Sequence, residues 1–229
     1  MSAAARRRAS PKREAAGPPG RAAAALSRCR QCARLAAFRD EIKDRHPEYR
    51  CRPVPVFGDE SARLVIVGLA PGLHGANATG RPFTGDFAGI LLYETLHRLG
   101  IANRAQSLAV GDGLVLAGAR ITNAVKCVPP ANRPTAEEIR TCAPYLNAEL
   151  AALPEGGVIM ALGRIAHEAV LRAYGAPLSR YRFAHGARHE VAGRIVWDSY
   201  HCSRYNTQTR RLTATMFEEV MRAAAREVS

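Results

Sequence analysis

The chain has little of what would mark an exported or membrane-embedded protein. No apolar stretch approaches the roughly eighteen residues a membrane span requires, since LVIVGLA and GVIMALG stop far short. The first twenty residues, MSAAARRRASPKREAAGPPG, lack the apolar core of a secretory signal. Acidic residues are also scarce: 20 Asp+Glu stand against 33 Lys+Arg, a net charge of +13. Such a surplus calls for an anionic partner, and nucleic acid is favoured because no amphipathic membrane helix is present. A soluble intracellular protein, cytoplasmic and away from membranes, is the expectation. What is present is an apolar fraction of 47% in 229 residues, which excludes global disorder and suffices for one α/β domain with a sizeable core.

Charge and pattern divide the chain. Residues 1–25 mix Arg, Ala, Pro and Gly without apolar period and read as a disordered basic arm. Residues 26–229 read as a single domain. Leu35, Phe38 and Ile42 keep helical spacing up to a stop before Pro47, and RCRPVPVFGDE reads as a Pro-punctuated loop. LVIVG (64–68), ARITNAV (119–125) and GVIMALG (157–163) are short buried strands, each followed by a helix. Gly100 ends the helix after the first, and Thr135 with Glu138 makes a capping box for the one after the second. ARHEV and RIVWDSY bracket Ala192-Gly193 as a hairpin, and a last helix is expected over about Thr209–Arg226. This alternation predicts an α/β fold, a three-layer α/β/α sandwich around a mostly parallel sheet. In such sheets function gathers beyond the carboxyl ends of the strands, here in segments 68–86, 123–134 and 199–211.

Six cysteines add a constraint. Cys29 and Cys32 form a C-x-x-C, and Cys127 and Cys142 form a wider pair. In a reducing compartment this pattern points to metal rather than disulfide chemistry. Spacing alone leaves zinc and an iron–sulfur cluster open, with zinc the more frequent occupant. Among the loops, GLAPGLHG (68–75) lacks both G-x-x-x-x-G-K-[ST] and G-x-G-x-x-G, so a nucleotide cofactor is weakly supported. No G-x-S-x-G elbow is present either, which argues against a serine-hydrolase triad. Phe83 and Asp86 lie close enough to stack a planar ring and manage charge beside it. Each also has a structural reading, Phe83 as core and Asp86 as a helix N-cap. Asn123, at the end of an apolar strand, requires a partner for its amide. His201 sits in SYHCSRYN, at the last strand's end.

Taken together, GLAPG…GRPFTGD, TNAVKCVPP and SYHCSRYNTQT, with the four-cysteine spacing, resemble the uracil-DNA glycosylase superfamily, most closely its family 5, the type B enzymes. The resemblance covers about residues 28–222. It implies a structural 4Fe–4S cluster on Cys29, Cys32, Cys127 and Cys142, replacing zinc as the expected occupant. It implies active-site positions for Asp86, Asn123 and His201, and base stacking for Phe83. Ala70, where family 4 carries a carboxylate, points to family 5. The implied activity is excision of uracil, and other deaminated bases, from double-stranded DNA by a monomeric, nucleoid-associated enzyme. Under it Ala70, Gly72, His74 and Gly75 line the base site beside Phe83 and Asn123. Arg204, Tyr205 and Arg210 then meet DNA. Two departures stand out: Ala78 replaces a larger, often basic residue, and Cys202 follows His201 where the superfamily usually has Pro. Two other readings fit fewer residues. One is a non-enzymatic nucleic-acid module with a four-cysteine metal site, and the other a hydrolase of free nucleosides.

Overall fold

The fold follows from three five-residue segments too short for ordinary helices and buried along their whole length, two of them, LVIVG and VIMAL, apolar throughout. The computed structural model describes residues 25–228, so the arm expected over residues 1–25 lies, Ala25 apart, outside the described residues. Residues 25–27 are helical, and α1 (Ala33–Arg45) then precedes the two-residue β1 (Phe57–Gly58) and β2 (Leu64–Gly68). One turn, α2 (Ala76–Thr79), interrupts the loop before α3 (Phe87–Arg98). Next come β3 (Ala119–Asn123), α4 (Ala136–Ala151), β4 (Val158–Leu162) and α5 (Arg164–Ala173). The hairpin β5 (Arg188–Val191) and β6 (Arg194–Ser199), then α6 (Arg204–Gln208) and α7 (Ala214–Arg226), complete the order.

The sheet order is β1-β3-β2-β4-β6-β5. The central four strands run parallel and only the edges are antiparallel. Alternate residues of the central strands face opposite layers. Leu64, Ile66, Ile121 and Met160 pack with Leu92 and Leu96 of α3 and Phe217 and Met221 of α7. Val65, Val67, Ile159 and Ala161 pack with Leu146 and Leu150 of α4 and Val170 and Leu171 of α5. Each of these side chains larger than alanine contributes about 1.5–3 kcal/mol, so these two faces, rather than loop hydrogen bonds, hold the frame. The expected α/β/α sandwich is the structure found.

Local signals account for most boundaries. Gly100, at φ +73, closes α3 with its own N–H on His97 O and Ile101 N–H on Leu96 O, a Schellman pattern. Thr135 and Glu138 form the reciprocal box at the start of α4. Two expectations need correction. Part of the RCRPVPVFGDE loop pairs antiparallel with β3 as β1, an edge strand kept short by the prolines before it. The last helix does not start at Thr209. Arg210 turns left-handed at φ +58, Leu212 drops into the core, and Thr213 caps a new helix through Met216 N at 3.2 Å.

Candidate active site and four-cysteine centre

Beyond the carboxyl ends of β2, β3 and β6 lies a cleft of about 580 Å³. The loop after β2 supplies Ala70, Gly72, His74, Gly75, Phe83 and Asp86. Asn123 comes from the end of β3, and His201 and Arg204 from the segment after β6. Three segments separated in sequence therefore meet at one place.

Asp86 both caps a helix and lines the cleft. It is the N-cap of α3, where Oδ1 accepts from Gly89 N at 2.9 Å. Its other oxygen lies over backbone: a Cβ built on Gly75 would sit 2.6 Å from Oδ2, and one on Gly72 3.2 Å. Glycine there is what lets the carboxylate enter the cleft wall. Burial raises the Asp86 pKa above the usual carboxylate value, against the lowering by the Gly89 and Ala88 amides.

Phe83 is likewise both core and site. It is 5% exposed, packs in the core, and still lines the cleft. Its backbone is left-handed at φ +54, a strained conformation for an aromatic residue. Asn123 is buried, and its Oδ1 has no hydrogen-bond partner. A Cβ on Gly68 would collide with that Oδ1 and lie 2.7 Å from Phe83 Cζ, so the amide and ring crowd against bare backbone. His201 faces Phe83 with ring centroids 5.8 Å apart and planes 26° from parallel. Burial pushes its pKa down to about 4, leaving a neutral imidazole at pH 7. Asn206 Nδ2 donates to His201 O at 2.8 Å and ties the loop to α6.

The remaining residues fall at or beyond the rim. His74 is exposed and meets Tyr49 OH at 2.8 Å through Nδ1. The Arg204 guanidinium lies 5.0 Å over the Phe87 ring. Tyr205, 71% exposed, and Arg210 stand on the same surface segment but do not line the cleft. Ala78 is half-buried on α2, its carbonyl accepting from Arg50 N, and Cys202 is wholly buried in the core. Sequence reading missed Asn132, Ser203 and Phe87 as lining residues. Asn132 reaches the site from a turn with φ +54, for which an Asn after a Pro pair is the available signal. It also missed the buttress of the loop. The buried Arg81 clasps Asp112 at 2.6 and 3.0 Å and bonds Ser107 Oγ at 2.7 Å.

Cys29, Cys32, Cys127 and Cys142 line one small cavity with Leu35, Arg39 and Tyr145. Burial raises the thiols, Cys32 to about 11 and Cys127 to about 12. Arg39, 4% exposed, has a buried Nε without a hydrogen-bond acceptor beside this cavity. Four cysteines around one cavity, with an unpartnered guanidinium nitrogen beside them, suit an anionic metal–thiolate centre. From there the chain reaches Asn123 in four residues. Between them Lys126, wholly buried, pairs with Glu149 at 2.6 Å and donates to Thr122 Oγ1.

Fold and cleft together define an α/β protein whose strand-end site presents a ring, an unpaired amide, a neutral imidazole and a carboxylate to a small planar polar ligand. Comparison with known proteins makes this specific. The model of the family described as the Uracil DNA glycosylase superfamily matches residues 55–225. A Type-5 uracil-DNA glycosylase of Thermus thermophilus is 50% identical over 207 residues, covering 88% of this chain and 94% of the relative. A Type-5 enzyme of Pyrobaculum aerophilum is 44% identical over 204 residues, covering 87% and 89%. A Type-4 uracil-DNA glycosylase of Sulfurisphaera tokodaii is 30% identical over 185 residues, covering 77% of each. The chain belongs to the uracil DNA glycosylase superfamily.

Proposed function

We propose that the protein removes uracil, and other deaminated bases, from double-stranded DNA by hydrolysing the N-glycosidic bond, leaving an abasic site. The observation that carries this is the buried, unpartnered Oδ1 of Asn123 in one cleft with Phe83, His201 and Asp86. A buried amide oxygen without a donor is costly unless a ligand supplies one. The N3–H of uracil is such a donor, and the amide NH2 answers O4. The relatives' names and the charge of +13 support the same substrate.

The bond to be broken lies inside the duplex, so the nucleotide must be extruded at a cost of a few kcal/mol. Arg204 at the rim binds phosphate, Tyr205 and Arg210 approach the groove, and Phe83 stacks the extruded ring. As the C1′–N1 bond breaks, its electron pair leaves with the base and positive charge builds on the sugar. His201, neutral, donates to O2 of the departing anion; a donor so placed lowers the barrier by about 2.7–4 kcal/mol. Backbone N–H groups near Ala70, Gly72 and Gly75 add donors, with His74 at the rim. The Asp86 carboxylate opposes the sugar's charge and orients the water that adds to C1′. One water is consumed, its hydroxyl going to the sugar and a proton to the base.

The four cysteines would hold a 4Fe–4S cluster, as the family resemblance implies and as the unpartnered Arg39 Nε beside their cavity supports. When bound, the cluster supplies a covalent tie between the start of α1, the loop after β3 and α4. Hydrolysis of this bond is redox-neutral, so the role is structural. The reading needs one chain per extruded nucleotide and a place beside chromosomal DNA. No helix among the described residues is long and apolar enough to cross a membrane.

The test is incubation of the brown, cluster-bearing protein with a uracil-containing duplex, followed by alkali. Strand breaks at the uracil are expected, with Asp86→Asn binding the duplex but releasing base slowly. Tight duplex binding without alkali-labile sites would overturn the reading and leave a non-enzymatic DNA-binding module.

A further inference from the structure

Apart from the cleft lining, His167 of α5, Asp198 of β6 and His189 of β5 converge on one another. His167 and Asp198 are buried, and His189 is only 13% exposed. One ligand atom from each lies within 4.8 Å of the other two. Asp198 Oδ1 is 2.8 Å from His167 Nδ1, and Oδ2 is 3.0 Å from His189 Nε2. His167 Nε2 lies 3.0 Å from Tyr181 O. The Phe183 and Tyr181 rings stand edge-on to His167 and His189 and cover the group.

The donors and acceptors do not balance without a cation. Tyr181 O only accepts, so His167 Nε2 carries a hydrogen. A neutral imidazole then has a bare Nδ1, which faces a carboxylate oxygen that also only accepts. One positive charge must lie between them, either a proton or a metal ion. Two features of the surroundings favour the ion. A backbone carbonyl on the far ring nitrogen is how a metal-ligating histidine is oriented, with the near nitrogen free to coordinate. His189 converges on the same carboxylate from a third direction, which a lone proton on His167 would not require. Two imidazoles and one carboxylate are the donor set of zinc-class ions, with a fourth position left for water.

We propose that His167, His189 and Asp198 bind one divalent transition-metal ion of the zinc class, separate from the four-cysteine centre. The ion joins α5 to both strands of the β5–β6 hairpin. Since Asp198 lies three residues before His201, it fixes the strand end from which the His201 loop departs.

The experiment uses the full chain with its cysteine centre loaded, dialysed against chelator and then titrated with Co2+, followed by Zn2+. One equivalent of Co2+ should bind with weak visible d–d absorption and no sulfur-to-cobalt charge transfer, and Zn2+ should displace it. The wild-type melting temperature should rise with the metal. His189→Ala should weaken binding by at least about 100-fold and remove the thermal shift. Absence of saturable uptake would overturn the proposal and leave a proton in the site. Equal uptake by wild type and His189→Ala, or a thiolate charge-transfer band, would overturn it as well. Should His189→Ala fail to fold, His189→Gln replaces it, and the wild-type cobalt spectrum is decisive alone.

Discussion

Gly75 offers a way to move the Asp86 carboxylate without altering its chemistry. A methyl group at Gly75 would lie 2.6 Å from both Cβ and Oδ2 of Asp86. Ordinary contact begins near 3.4 Å, so the carboxylate must retreat by about 0.8 Å, and misplacement of that order costs about 100-fold in rate. Retreat also strains the cap on Gly89, worth about 1 kcal/mol. In a chain of this length that is a fall of roughly 2–4 °C in melting temperature. Gly75→Ala should therefore release uracil about 100-fold more slowly in single-turnover assays, with duplex affinity by fluorescence anisotropy almost unchanged. In an Asp86→Asn background the same substitution should cost almost nothing further, because both changes remove one interaction. Full activity in Gly75→Ala, or strict additivity in the double variant, would refute the placement of Asp86 against the sugar.

Two further outcomes follow from the same geometry. The single-turnover rate should show an acid limb at the burial-raised pKa of Asp86, lost in Asp86→Asn, and none near the ordinary histidine value, since His201 is neutral above about pH 4; a limb near about 6.5 that vanishes in His201→Ala would make the imidazolium the acting form. Asp112→Asn leaves the buried Arg81 without its counter-charge, at a cost of about 3 kcal/mol or roughly 6–12 °C by calorimetry. The Arg81 hydrogen bonds hold the Asp112 carboxyl well below its usual range, so this stabilisation is complete above about pH 4 and is lost as pH falls further; a shift under about 2 °C in the variant would show the pair to be dispensable.

Much of this architecture is legible in the sequence because it is local. LVIVG and VIMAL are short, continuous and apolar, as strands buried on both faces tend to be, whereas ARITN is equally buried with three polar residues and is found by its place in the strand–helix alternation. Thr135 with Glu138 and Ala192-Gly193 signal their own geometry, the latter pair left-handed at φ +49 and +75 as a tight hairpin requires. The three site segments are found at strand ends because parallel sheets put them there. What is not legible depends on distant partners. Arg81 meets Asp112 across 31 residues, and His167 meets Asp198 across another 31. No periodicity announces either pairing. The two-residue β1 is a strand only because β3 is beside it. The break at Arg210 comes from Leu212 finding the core, a tertiary preference that overrides local helix propensity.

The five residues from Asn123 to Cys127 are pinned at Lys126, next to the cysteine, with Val54 N on its carbonyl and Cys142 Sγ on its amide. Little slack remains for one end to shift while the other stays still. With iron held at the cysteine end, the same stretch would make lesion discrimination hostage to the cell's metal supply and oxidant load. Loss of a cluster bound there would then be felt at Asn123 as well as at the cysteines.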